Sequence, residues 1–180
     1  ADLEQAVQAL EEALPGMPPA SFAYAMIAHN LSDQLQQRFQ HTSHIDDLKR
    51  AVELSTQSVE YTPPNSPSMS THLTALANAF NRFYEYTGDS GYLDKSLDAL
   101  EGIAERTTIN SPGYAGVAAN LAGALNDRYM RKGELADLER SIQILEKTIQ
   151  DGLPTSSNMD IAYLNLGNSL IALFFRTGNL

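Results

Sequence analysis

The chain of 180 residues contains no cysteine and no tryptophan. The lack of cysteine excludes disulfide bonds and any catalytic or metal-binding thiolate. Because proteins of reducing compartments do without disulfides, this composition favours the cytoplasm. Stretches in which apolar and polar residues alternate one by one are also missing, so we expect no β-strands.

Basic residues are few: 12 Lys and Arg against 22 Asp and Glu give a formal net charge of −10 at pH 7. A surface that binds phosphate groups needs clustered Lys and Arg. We therefore expect neither nucleic acid nor a membrane among the partners. Long apolar runs are missing too, since a run such as Leu170 to Phe175 is much shorter than the ~20 residues that span a bilayer.

Internal repetition is the dominant feature of the sequence. The stretches "DLEQAV", "DLKRAV", "YLDKSL" and "DLERSI" begin at Asp2, Asp47, Tyr92 and Asp137, a constant step of 45 residues. The same step relates other columns, such as Leu31, Leu76, Leu121 and Leu166. Columns that stay in register without an insertion predict one array of four repeats, residues 1–45, 46–90, 91–135 and 136–180.

Each repeat contains two helical patterns. The short one places Leu3, Val7, Leu10 and Leu14 on one stripe, and the long one does so with Tyr24, Ala28, Leu31, Leu35 and Phe39. A column of turn residues follows each long pattern, namely Ser43, Gly88, Gly133 and Gly178. Glycine suits the left-handed conformation that ends a helix, so the serine predicts a less regular first turn. The patterns predict an all-α fold of about eight antiparallel helices.

Several stretches resemble the tetratricopeptide repeat family. "NLSDQL" at Asn30, "NLAGAL" at Asn120 and "AYLNLGNSL" at Ala162 are similar to the first helix of its repeat, and "DLERSIQILEKTI" at Asp137 is similar to the second. The family's glycine after the core leucine is kept only as Gly167. The resemblance implies an α-solenoid, a right-handed superhelix of helix pairs, in which the long helix comes first in each pair.

The repeat of 45 residues is longer than the usual ~34. "DRYMRKGELADLERSI", which begins at Asp127, resembles the long repeats found beside CHAT-type peptidase domains and in nucleotide-switch signalling proteins. This resemblance implies a sensor or regulatory arm of such a protein as one alternative function.

In the order of helices that the family implies, the first short helix and the last long helix lack their partners. Natural arrays of this kind close with polar capping helices, whereas the last long helix carries Leu170, Leu173 and Phe174. We therefore expect the chain to be a fragment of a longer array. We also expect that these three residues mediate self-association, which makes a self-associating structural array a further alternative.

The resemblance also implies a concave groove, lined by the first helices, that holds a peptide or a partner protein. Its positions lie off the core stripe of the long helices, and asparagine there offers both donors and an acceptor to a peptide backbone. The predicted groove residues are His29, Asp33, Gln36, Gln37, Thr74, Asn78, Asn81, Arg82, Asn120, Asn126, Asp127, Asn165 and Asn168. The alternative is that these residues are a solvated polar face or bond to local backbone groups.

The sequence gives little support for a metal site or for catalysis. The stretch "HTSHIDD", His41 to Asp47, has the residue types of a zinc site, but a helix end explains its His and Asp equally well, and we expect no metal there. Motifs for phosphate binding or nucleophilic catalysis are missing, so we expect neither an enzyme nor a cofactor. The sequence thus predicts a protein-interaction scaffold within a larger protein.

Overall fold

The computed structural model describes residues 2–152 and 158–178, and within these ranges the secondary structure is helical throughout, with eight α-helices and no strand. The long helices are α2 (Phe22–Thr42), α4 (Met69–Thr87), α6 (Tyr114–Lys132) and α8 (Met159–Thr177). The short helices are α1 (Asp2–Ala13), α3 (Ile45–Glu60), α5 (Gly91–Ala104) and α7 (Leu135–Asp151). A short 3-10 turn, Leu14–Gly16, follows α1. The all-α prediction is confirmed.

The long helices end in the same way in every repeat. Ser43, Gly88, Gly133 and Gly178 all adopt the left-handed conformation, with φ of 56°, 72°, 75° and 72°. Each donates its backbone N–H to the carbonyl of the aromatic residue four positions earlier, at 2.7 Å for Ser43 and 2.8 Å for Gly178. The prediction of a less regular first turn is wrong, because Ser43 accepts the same backbone geometry as the glycines.

The chain divides into two compact units, residues 1–63 with 71–92, and residues 64–70 with 93–180. In the first unit α2 packs against both α1 and α3. Its core contains residues from all three helices and from the 3-10 turn: Val7, Leu14, Ala28, Leu31, Leu35, Ala51 and Leu54.

In the second unit α7 packs against both α6 and α8, and α6 also packs against α8. A core cluster there consists of Ala115, Ala122, Leu145, Met159 and Ala162. Contacts between one long helix, the next short helix and the next long helix are the pattern by which a helical repeat array buries each copy against its neighbour.

A charged clamp holds a long helix to the short helix that follows it. In the first unit Nη2 of Arg38 lies 2.6 Å from Asp47, its Nε bonds the other oxygen of that carboxylate, and Glu4 contacts Nη1 at 3.1 Å. In the second unit Arg128 forms the same bidentate pair with Asp137, and Asp94 takes the place of Glu4. Both aspartates are buried.

The second repeat replaces this clamp with aromatic rings. Phe83 and Tyr92 stand where the neighbouring repeats have Arg and Asp, and their rings stack with centroids 4.5 Å apart. Ionic and aromatic contacts therefore alternate at one position along the chain. The interval from one ionic clamp to the next is two repeats, and each compact unit contains one such clamp.

Candidate functional site

All predicted groove residues lie on the long helices, but their environments differ. Two of them, His29 and Gln36, are buried. Four are exposed, namely Gln37, Thr74, Asn78 and Asn168. The remaining seven, Asp33, Asn81, Arg82, Asn120, Asn126, Asp127 and Asn165, are half-buried. His29 and Gln36 are therefore not available to a partner, whereas the other eleven side chains are at least partly exposed.

The two buried residues connect α2 to α4 within the first unit. The side-chain amide of Gln36 donates to the carbonyl of Ala75 at 3.3 Å. The ring of His29 stacks on His72, with centroids 4.6 Å apart. Because these contacts use the side chains inside the unit, Gln36 and His29 serve packing between neighbouring long helices.

His72 is a buried residue that the sequence analysis did not identify. Its Nδ1 lies 2.9 Å from the hydroxyl of Ser58 and 2.8 Å from that of Thr62. Burial, together with the neighbouring His29, lowers the pKa of His72 to about 4. The imidazole is therefore neutral near pH 7, and its polar atom is satisfied by hydroxyl groups rather than by a charge.

The half-buried groove residues of the first unit lie close to one another. Burial raises the pKa of Asp33, while the charges of His29 and Arg82 oppose that rise. With the Gln40 amide oriented so that its oxygen faces α4, that oxygen lies 2.7 Å from Nη2 of Arg82. The Arg82 side chain thus bridges α4 and the C-terminal end of α2.

In the second unit three of the predicted asparagines bond to a neighbouring helix. Asn120 donates to the backbone oxygen of Ser70 at 3.1 Å, and Asn165 donates to that of Ala119 at the same distance. Asn126 donates to the hydroxyl of Ser169 at 2.8 Å. Asn120 and Asn165, which are one repeat apart, therefore attach a long helix to the backbone of the long helix before it, which is the local backbone role weighed against peptide binding.

A pocket opens between the C-terminal ends of α6 and α8, with a volume of about 420 Å³. It is mostly apolar and includes one predicted groove residue, Asn168. Its lining consists of Tyr129, Met130, Asn168, Ile171, Ala172, Phe175 and Arg176. A concave, apolar site with a few polar groups at its edge is the usual form of a ligand-binding pocket.

Two residue differences between the units lie at this pocket. Ala172 occupies the repeat position that Arg82 has in the first unit, and Met130 occupies that of Gln40. In the first unit the Arg82 side chain reaches Gln40. The methyl group of Ala172 cannot reach across to α6, so the equivalent space between α6 and α8 stays open.

The helix α8 exposes a broad apolar face. Phe175 is 81% exposed, Leu164 64% and Tyr163 58%. Of the residues predicted to mediate self-association, Phe174 is exposed, while Leu170 and Leu173 are half-buried. These apolar side chains are not covered by any other described part of the chain.

The described residues were also compared with what a metal site and a membrane-spanning helix require. No group of three or more His, Cys, Asp or Glu side chains in the described part of the chain is arranged to hold a metal ion. Within the stretch from His41 to Asp47, the carboxylate of Asp47 is bound to Arg38. None of the described helices has the length and apolar character needed to cross a membrane.

Comparison with known proteins gives no relative for this chain: family models, curated proteins and solved structures were each searched, and none of them matches.

Proposed function

We propose that the chain is a protein-interaction scaffold that binds an apolar segment of a partner protein or peptide between α6 and α8. The observation that carries this proposal is the pocket of about 420 Å³, together with the exposed side chains of Met130 and Phe175 on either side of it. Aromatic side chains and methionine are common in the central part of protein interfaces.

The polar groups at the pocket suit a peptide. Asn168 is exposed and carries an amide that can donate to and accept from a peptide backbone. Arg176 also lines the pocket and adds one positive charge. An apolar anchor in the pocket, with an acidic group or a terminal carboxylate near Arg176, is the ligand chemistry that this arrangement favours.

The test is a peptide selection with a variant that fills the pocket. Random peptides displayed on phage are selected on the wild-type protein and counter-selected on Ala172→Arg, which restores the residue type found at Arg82. The affinity of the selected peptides is then measured by fluorescence anisotropy. We expect an aromatic or aliphatic anchor in the selected peptides, and a loss of affinity of about tenfold or more on Ala172→Arg.

A matched control places the same charge elsewhere. Gln143 is exposed on α7, so Gln143→Arg changes the net charge equally without filling the pocket. The selected peptides should bind this variant as they bind the wild type. Failure to select any peptide, or equal binding to Ala172→Arg, would contradict the proposal.

A further inference from the structure

We propose that a second copy of this chain covers the open face of α8, with the α1–α2 pair of that copy placed as α7–α8 is placed on α6. The interface is then a continuation of the packing that each unit already contains.

The face of α8 that would receive the second copy is closed in the equivalent helices. Ala118 and Ala122 of α6 are buried, as is Leu125. Their counterparts in α8, one repeat later, are Tyr163, which is 58% exposed, Gly167, which is exposed, and Leu170, which is half-buried. In α6 a short helix, α7, lies against this region, whereas on α8 the same face is open.

The helix α1 leaves the complementary face partly uncovered. Leu48 and Ala51 of α3 are buried where that helix packs on α2, and Leu138 and Ser141 of α7 are buried in the same way. The counterparts in α1, residues Leu3 and Ala6, are only half-buried. The residues that α1 leaves partly uncovered are thus those with which a short helix contacts the long helix before it.

The residues at the point where a short helix lies nearest to the preceding long helix support the same arrangement. The hydroxyl of Ser32 donates to the carbonyl of Ala51 at 2.9 Å, and Ser141 lies 3.3 Å from the carbonyl of Ala122, so two small residues meet where the helices are nearest. The equivalent pair between copies is Gly167 and Ala6. Both are small, and a Cβ added at Gly167 would meet no atom within 4 Å.

A polar residue of α2 supports the same register. Asn30 belongs to the column of Asn120 and Asn165, and Asn165 donates to the backbone of the preceding long helix at 3.1 Å. Asn30 itself is exposed. With a second copy seated on α8, Asn30 reaches the backbone of α8 near Leu164, the position equivalent to Ala119.

The two surfaces are different, so the contact joins unlike faces of two copies. Such a heterologous interface leaves one open α8 and one open α1 on every dimer, and further copies add unless the assembly closes into a ring. The expected behaviour is therefore a concentration-dependent series of species rather than a single dimer.

Sedimentation velocity over a roughly hundredfold range of protein concentration tests the interface. Gly167→Gln places a long side chain at the point of closest approach on α8, and Ala6→Gln does so on α1. We expect the wild type to associate and each variant to remain monomeric at every concentration. Circular dichroism and thermal unfolding establish that both variants are folded.

Mixing the two variants makes the test specific for this arrangement. Gly167→Gln keeps an intact α1 face, and Ala6→Gln keeps an intact α8 face, so an equimolar mixture should give a dimer and nothing larger. A two-fold contact between α8 helices would leave Ala6→Gln associating and the mixture without a defined dimer, and would overturn the proposal. A wild type that stays monomeric throughout would also overturn it.

A substitution that strengthens association tests the register independently. Leu173 occupies the column of Arg38 and Arg128, and Asp2 of the second copy would occupy that of Asp47. Leu173→Arg should therefore create an intermolecular clamp and tighten association about tenfold, and Asp2→Asn in the same background should remove that gain. Unchanged or weaker association of Leu173→Arg contradicts the register.

Different variants test the self-association and the peptide binding proposed above. Ala172→Arg fills the pocket and should leave sedimentation unchanged, while Gly167→Gln should leave peptide binding unchanged. Gly123→Gln is the matched control for the glycine substitution, because Gly123 also has no atom within 4 Å of an added Cβ but lies on α6. This control should associate as the wild type does.

Discussion

Single glycines in α6 show how closely packing constrains individual residues. A Cβ added at Gly116 would lie 2.6 Å from Nδ2 of Asn158 and 2.6 Å from Cβ of Ser70, whereas one added at Gly123 would meet nothing within 4 Å. Packing therefore explains why residue 116 is glycine, whereas it does not explain the glycine at position 123.

This contrast gives a paired prediction. Gly116→Ala should lower the free energy of unfolding by about 1–3 kcal/mol, because neighbouring atoms must move to admit the methyl group. Gly123→Ala should raise it by roughly 0.5–1 kcal/mol, since alanine is the better helix former. Urea denaturation of the two variants measures both values. Equal effects of the same sign would show that the close approach at Gly116 does not constrain the fold.

The position of Ser43 leads to a second prediction. Its left-handed φ of 56° is costly for serine and not for glycine. Ser43→Gly should therefore stabilise the protein by about 0.5–1 kcal/mol, after allowing for the greater freedom of glycine in the unfolded chain. Thermal unfolding measures the change. Gly133→Ser, at the same position two repeats later, is the reciprocal control and should destabilise by a similar amount.

At the scale of helices, the sequence predicted much of the architecture and little of the side-chain roles. The 45-residue columns located the helices and their turns because burial recurs at the same positions in every repeat. The functions of Gln36 and Asn165 were not predictable in this way. Each is a polar residue on a long helix, and only the neighbouring helix shows that its amide bonds to a backbone carbonyl.

The charged clamps, in contrast, have a recognisable signal in the sequence. Arg38 with Asp47 and Arg128 with Asp137 have the same separation and recur two repeats apart. This pattern indicates a conserved spacing within the chain, yet its meaning depends on which helix faces meet. The pocket was harder to predict, because the significance of Ala172 depends on knowing that Arg82, at the equivalent position, reaches Gln40 on the neighbouring long helix.

Ionic and aromatic contacts occupy equivalent positions in different repeats, so we expect that one type of pair can replace the other. Arg128→Phe leaves the buried carboxylate of Asp137 without its partner and should cost roughly 2–4 kcal/mol. The double substitution Arg128→Phe with Asp137→Tyr reproduces the pair Phe83 and Tyr92 and should cost less than about 1.5 kcal/mol.

Urea unfolding of the wild type, both single variants and the double variant forms a complete cycle. The two single costs should greatly exceed the cost of the double variant. If the costs simply add, the two types of contact are not interchangeable in this fold, and the aromatic pair of the second repeat must depend on features particular to that repeat.

At the scale of the whole molecule, the period of two repeats matches the division into two compact units. The first unit includes residues up to Tyr92, and the second contains the remainder of the chain together with residues 64–70. Each unit has a core and one ionic clamp of its own. The alternation of ionic and aromatic contacts in the sequence therefore agrees with the division into two units that the backbone contacts give.

The buried His72 makes the stability of the molecule depend on pH. Its pKa of about 4 in the folded protein lies below the ordinary value of 6.5, which the unfolded chain regains. Between these values the unfolded chain binds a proton that the folded protein does not. The free energy of unfolding should therefore have its full value above pH 6.5. It should fall by up to about 3 kcal/mol as the pH is lowered towards 4.

Urea denaturation at several pH values within this window tests the effect. His72→Asn should flatten the pH dependence, because an amide does not titrate there and can still accept from the hydroxyl of Ser58. His41→Asn is the control: His41 is exposed, and its substitution should leave the slope of the wild type unchanged. The stacked His29 and the nearby Asp33 are present in both variants, so any pH dependence that they produce without His72 remains in His72→Asn. A slope that persists in His72→Asn would assign the pH dependence to other groups.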